Sequence, residues 1–165
     1  MTRNHMTKED RLDLSRTYTQ RNGDLKPKGL WYAHDNEWVE WVAYNMPHWR
    51  DENNLELVVN KDRLLVIDSW EKLLAFQAQY AIGMESRTTM GFVMIDWERA
   101  SERYSGIEVC NYHEINAKVK EDFSSINQFL WFNGWDVNSG CIWDLSAIAG
   151  YVVNKTPSKK DLKLS

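Results

Sequence analysis

The chain has 165 residues, of which 43% are apolar and 27% charged, ordinary values for one folded domain and not for a disordered chain. Two cysteines, Cys110 and Cys141, exclude a disulfide framework and a cysteine-built zinc site. No apolar run approaches the ~20 residues of a membrane helix, and residues 1–13 are too polar for a signal peptide, so the expected setting is cytoplasmic. The formal charge of −4 is unevenly placed: residues 1–28 carry +3, residues 29–154 carry −10 and residues 155–165 carry +3. An acidic body with basic ends does not draw in phosphate backbones by long-range field.

In chain order, residues 1–10 are expected to be a flexible start. Residues 11–20, with Leu12, Leu14 and Tyr18 between polar neighbours, suit a first strand. Turns follow at residues 21–24 (RNGD) and 26–29 (KPKG), then a short apolar strand at residues 30–33. Asp35 or Asn36 can cap a helix carrying Trp38, Val39, Trp41 and Val42, which Pro47 stops. Residues 55–59 and 63–68 resemble the two strands of a hairpin around residues 60–62. Ser69 caps a second helix through Tyr80, with Trp70, Leu73, Leu74 and Phe76 at helical spacing. Residues 83–91 are glycine-bracketed and polar, which predicts a mobile loop. A short helix over 96–104 leads to a strand over 106–110, and residues 113–125 suit a loop or exposed helix. The last structured piece is aromatic, residues 129–143, and residues 155–165 are expected to be a flexible basic tail. Short strands with two to four helices and no regular alternation predict one α+β domain over residues 11–154 with two small mixed or antiparallel sheets.

Several chemistries lack their residues. There is no glycine-rich phosphate loop and no G-x-S-x-G elbow. The four histidines, His5, His34, His48 and His113, are scattered, so no metal site is expected. Cys110 near His113 suits a small buried hydrophobe better than a nucleophile.

Three constellations remain. In residues 26–33 (KPKGLWYA), Gly29 lets backbone approach a planar ligand, and Trp31 and Tyr32 offer one ring to each face of the strand. The plain alternative is a core strand with an aromatic belt. In residues 103–112, Ile107 and Val109 share the buried face, so Glu108 lies on the other with Gly106 and Cys110. A lone strand carboxylate there suits a cleft that binds a ribose hydroxyl and faces positive charge at an anomeric carbon, or simply an exposed position. In residues 131–143, Asp136 and Ser139 sit between turn signals among Trp131, Trp135 and Trp143. That arrangement suits ligand binding or the loop's own backbone.

Taken in this order, the three pieces resemble the ADP-ribosyltransferase fold, whose members bind NAD between two small sheets and transfer ADP-ribose to an acceptor. GLWYA at residues 29–33 is similar to that fold's second-strand motif, and YSGIE at residues 104–108 is similar to the strand bearing its catalytic acid. The chain also resembles a family of phage and prophage proteins with the pattern KPxGLW, YxGIE and GWDxxSGCIW, which suggests a role in defence or counter-defence. The resemblance implies Glu108 as the catalytic residue and Arg16, Tyr18, Gly29, Trp31 and Tyr32 around NAD, with Arg16 on the pyrophosphate. It implies Trp135, Asp136, Ser139 and Trp143 against a macromolecular acceptor. The first strand lacks the usual His-Gly or Arg-Gly step. Gly106 stands where arginine-modifying members carry Glu, which favours nucleic acid or another side chain as acceptor. The alternative from a different class is a non-catalytic, phage-encoded binding protein. It would inhibit a host factor or sequester a nucleotide through an acidic face of Trp131, Trp135 and Trp143. A weaker third expectation is carbohydrate binding by aromatic stacking.

Overall fold

The computed structural model describes residues 1–84, 92–121 and 128–163. Nine strands are described: β1 (Arg3–Thr7), β2 (Leu30–His34), β3 (Asn53–Val59), β4 (Leu64–Ile67), β5 (Ala81–Met84), β6 (Phe92–Ile95), β7 (Gly106–Val109), β8 (Ser139–Ile142) and β9 (Ile148–Lys155). The described α-helices are α1 (Glu37–Asn45), α2 (Trp70–Tyr80), α3 (Trp97–Arg103) and α4 (Tyr112–Glu121). Seven strands form one mixed sheet in the order β4-β7-β8-β2-β1-β3-β9, and β5 and β6 form a separate hairpin. The class is therefore α+β, with one large sheet and one ribbon rather than two small sheets.

The first strand is β1, not residues 11–20. It lies inside the sheet, antiparallel to both β2 and β3, so residues 3–7 are fixed rather than flexible. Polar RNHMT carries no alternation that marks a strand, and its place is decided by its two neighbours. Residues 11–20 have no regular structure, yet Leu12 and Tyr18 still pack on the core, which accounts for their apolar spacing. The start of α1 also differs: Asn36 makes no capping bond through its side chain. Asp35, at φ +48°, accepts instead from the Thr2 backbone at 2.8 Å and ties the chain start to the end of β2.

The expected hairpin of residues 55–68 does not form. Its strands exist, but β3 pairs with β1 and β9, while β4 pairs in parallel with β7 at the far edge. This has a geometric consequence for the whole sheet. Five strand spacings of about 4.8 Å would separate β4 from β3 by roughly 24 Å if the sheet were flat. The link from Val59 to Leu64 spans at most about 18 Å, and Lys61–Arg63 is a 3-10 turn, which is shorter still. The sheet must curl until its ends approach. Arg63, at the start of edge strand β4, donates to the Ser146 hydroxyl just before edge strand β9 at 2.7 Å, which joins the two ends.

Curling gives the sheet an inner and an outer face, and each has its own core. Leu30, Leu55, Leu57, Leu64 and Ile142 fill the inside, with Leu145 and Ile148 at one end. The outside is covered by α2, α3, α4 and the aromatic segment, whose Phe76, Trp97, Phe129, Trp131 and Phe132 are buried against Ile67, Ile107 and Val109. Of the loop or exposed helix expected over residues 113–125, a helix forms over Tyr112–Glu121, and it is not wholly exposed, because Tyr112, Ile115 and Val119 form one buried apolar stripe on it. At the C-terminal end, Lys155 closes β9 and Thr156 is buried with its N–H donating to Glu52 O, so these first two residues of the expected tail are held. The loop expected at residues 83–91 falls mostly outside the described residues.

Candidate functional site

Alternation along the strands sorts the candidate residues before any contact is measured. The registers Arg3 with His34, Tyr32 with Gly140 and Glu108 with Gly140 place Arg3, Tyr32, His34 and Glu108 on the inner face. By the same registers, Asn4, Trp31, Ala33 and Ser139 lie on the outer face. Two sites result, one on each side of the sheet.

The inner site is centred on Glu108, 2% exposed. Arg3 grips both carboxylate oxygens, Nε to Oε2 at 2.5 Å and Nη2 to Oε1 at 2.8 Å. The Tyr32 hydroxyl donates to Oε2 at 2.6 Å, and His34 Nε2 stands 3.3 Å from the same oxygen. Gly140 makes this geometry available: a Cβ there would meet the Tyr32 Cζ and hydroxyl at 2.4 Å, so the ring lies over the glycine to reach Glu108. Burial alone would raise the Glu108 pKa. The imidazole of His34, the Arg3 fork and the Tyr32 hydroxyl outweigh that and hold it at about 2. Tyr32 moves the other way, well above its ordinary range, through burial and the adjacent carboxylate. The site is an ionised carboxylate in a fixed cradle of donors.

Cys110 adds a thiol 3.9 Å from Glu108 Oε1. Burial first, then Glu108 and Asp68, push its pKa up to about 11, so it stays protonated at neutral pH. His34, Glu108 and Cys110 bring their ligand atoms within 4.8 Å of one another. The set does not suit a cation, because the Arg3 guanidinium already occupies both carboxylate oxygens and the thiol is held neutral.

The outer site is a cavity of about 290 Å³ walled by Trp31, Trp38 and Trp135, with Asn4, Met6 and Ala33 of the strands beneath. Lys26, Asp136 and Ser139 border it, and so does Tyr32, although its hydroxyl reaches Glu108. Trp31 and Trp135 meet edge to face at 5.1 Å, and the Lys26 ammonium lies 5.3 Å from the Trp31 ring centre. Trp135 is 1% exposed, and its indole N–H has no hydrogen-bond partner among the described residues.

The expected site residues thus divide. Tyr32 and Glu108 meet on the inside, while Trp31, Trp135, Asp136 and Ser139 gather around the outer cavity. Gly29 serves packing, since a Cβ would strike the Ile142 carbonyl at 2.5 Å. Arg16 is exposed over the Tyr18 ring and borders neither site. Trp143 is in the core, donating to Tyr104 O at 2.6 Å. The Trp131, Trp135 and Trp143 face is overturned, because all three are at most 5% exposed and absorbed by the outer core. Arg3, His34, Lys26 and Trp38 were not singled out. His34 follows Tyr32 at the period of two and was within reach of the pattern; nothing in RNHMT marked Arg3. No family model matches the chain, and no curated protein or solved structure matches it. No helix among the described residues is long and apolar enough to cross a membrane.

Proposed function

We propose that the protein is an ADP-ribosyltransferase-like enzyme that uses NAD, with Glu108 facing the reacting ribose and a macromolecule as acceptor. The observation that supports this most is the 2.6 Å hydrogen bond from Tyr32 to Glu108. The two motifs that carry the resemblance, GLWYA and YSGIE, lie 76 positions apart and still deliver one side chain each to a single centre. NAD supplies the ADP-ribosyl group, with nicotinamide as its leaving group. Glu108, as a carboxylate, accepts from a ribose hydroxyl and offsets positive charge at the anomeric carbon. Tyr32 fixes the carboxylate's direction through its hydrogen bond to Oε2. Arg3 sits where a ribose diol must bind, so this reading requires its guanidinium to turn from Glu108 toward the pyrophosphate, a bidentate partner of the same kind.

The test is nicotinamide release from NAD, followed with transfer of adenylate-labelled NAD to nucleic acid and to protein. Release is expected to fall about 100-fold or more in Glu108→Asp, which keeps the charge and draws it back, and about 10-fold in Tyr32→Phe. Release that is absent in the folded wild type, or unchanged in Glu108→Asp, sinks the proposal.

A second reading, binding without turnover, is favoured by the complete enclosure of Glu108 by Arg3, Tyr32 and His34. Saturable NAD binding with no release of nicotinamide selects it.

A further inference from the structure

The two edges of the curled sheet are finished differently. Edge strand β4 has four residues, of which Leu64 and Ile67 are buried, and so short an edge gives another strand little to pair with. Edge strand β9 has eight, and residues 152–155 are all exposed. Val152 is 57% exposed and Val153 42%, and Val58, diagonal to Val152 on β3, is 57% exposed. Natural sheets blunt a long edge with charge, proline or a bulge. Here the bulge lies at Val58 and Val59, opposite the start of β9, and the nearest proline is Pro157, beyond its end. The one charge, Lys155, is held by its bond to Asn53 Oδ1 at 2.9 Å.

Backbone parity tells which groups of β9 are left over. Thr156 N donates to Glu52 O at 2.9 Å, one register step beyond the pair of Asn53 with Lys155. In an antiparallel ladder such hydrogen-bonded pairs alternate with pairs that exchange no bond. Gly150, Val152 and Asn154 therefore direct their N–H and C=O groups to β3, while those of Tyr151, Val153 and Lys155 point away from it to the free edge. Among the described residues no backbone bond reaches these three on that side. The Leu12 N–H goes to the Tyr151 hydroxyl at 3.2 Å and not to the strand.

What completes a row of free amides and carbonyls is another strand, and the side chains favour a second copy of the same one. Antiparallel pairing about a two-fold axis at Val153 sets Val153 opposite its own copy, Tyr151 opposite Lys155 and Val152 opposite Asn154. All three free residues of each strand then find a partner. Lys155 is the only charged residue of β9. In this register its two copies stand four residues apart along the strands, roughly 13 Å, which exceeds the screening length of about 8 Å at physiological salt. Parallel pairing would instead set them side by side, at a cost. An acidic peptide would find one cation on the edge, already held by Asn53.

We propose that the protein forms a two-fold dimer by antiparallel pairing of β9 with β9 of a second copy, centred on Val153, so that two curled sheets become continuous. The contact consists of one strand and the valines beside it and buries less than the ~1,200 Å² of a standard interface, so the dimer exchanges, with a dissociation constant on the order of 10–100 μM. Glu108 lies on β7 and takes no part in the contact, which does not depend on that residue's role.

The experiment is sedimentation velocity of the full chain from about 1 μM to about 1 mM, a range that brackets the expected constant. The average mass is expected to rise from that of one chain toward that of two. Val153→Pro removes an N–H that β3 does not use, so this variant is expected to keep the wild-type urea transition at low concentration and to stay monomeric throughout. Val153→Lys, at the same exposed position, sets two ammonium groups across the axis and raises the dissociation constant about 10-fold or more. Val153→Cys is expected to give a covalent dimer on oxidation, because hydrogen-bonded pairs hold their Cα atoms about 5.5 Å apart. Val152→Cys, which faces Asn154 of the second copy, and the wild type, with Cys110 and Cys141 alone, are expected to give none. A wild type that is monomeric at about 1 mM, or a dimer that Val153→Lys leaves intact, overturns the proposal. So does a covalent dimer from Val152→Cys in place of Val153→Cys, which requires another register. A Val153→Pro variant that loses its unfolding transition contradicts the parity of β9 and overturns it as well.

Discussion

Neutralising one partner of the Arg3–Glu108 pair leaves the other as an uncompensated charge in a dry interior. Arg3 is 6% exposed and Glu108 2%, so water is not available to either. Breaking such a pair costs about 3–5 kcal/mol. Glu108→Gln strands the guanidinium, and Arg3→Met strands the carboxylate with only Tyr32 and His34 near it. The double variant Arg3→Met/Glu108→Gln removes both charges while the amide oxygen still accepts from Tyr32. It is expected to cost no more than either single variant, giving a coupling of at least about 3 kcal/mol in a double-mutant cycle by urea unfolding. The pH dependence supplies a separate estimate. The folded pKa of about 2 lies below the ordinary 4.5, so this contribution is complete above pH 4.5 and is lost as pH falls toward 2. A shift of that size corresponds to about 3 kcal/mol, in line with the cycle. The acid slope between pH 4.5 and 2 should be correspondingly shallower in the double variant. A coupling below about 1 kcal/mol, or the same acid slope in wild type and double variant, refutes the reasoning.

Three further outcomes are expected. Gly140→Ala drives a methyl group into the Tyr32 ring and the Ile107 carbonyl, and should cost about 1–3 kcal/mol and shift the Tyr32 environment in near-ultraviolet circular dichroism. Deleting residues 1–7 removes a strand paired on both sides together with the partner of Glu108; loss of the cooperative unfolding transition is expected, and a folded, cooperative deletion variant contradicts the register described. Cys110, with its pKa near 11, should react with iodoacetamide at pH 8 about two orders of magnitude more slowly than a free thiol, measured by mass spectrometry; rapid labelling contradicts the environment assigned to it.

Local patterns in the chain determined the local elements. Ser69 and Asp96 accept from the backbones of Lys72 and Arg99, as helix caps should, and the apolar spacing of residues 70–80 became α2. GLWYA became β2, and the alternation in residues 106–110 put Ile107 and Glu108 on opposite faces, as their spacing requires. These features depend on neighbours one to four positions apart, and the chain carries that information directly.

Tertiary structure decided the rest. A strand of mainly polar residues, RNHMT, has no amphipathic period to announce it, and its identity comes from β2 and β3 binding both its edges. Residues 55–68 look like a hairpin because the turn is local, whereas the partners that win, β1, β9 and β7, are remote. The curl that follows turns the far side of the sheet into a second interior, so Glu108 is enclosed where strand alternation allowed an open cleft. Arg3 reaches it from 105 positions away, which no spacing rule encodes. The same curl leaves Trp31 and Tyr32, adjacent in the chain, serving separate sites on opposite faces. Side-chain alternation is a property of two residues, but what lies on either side of a sheet is a property of the closed fold.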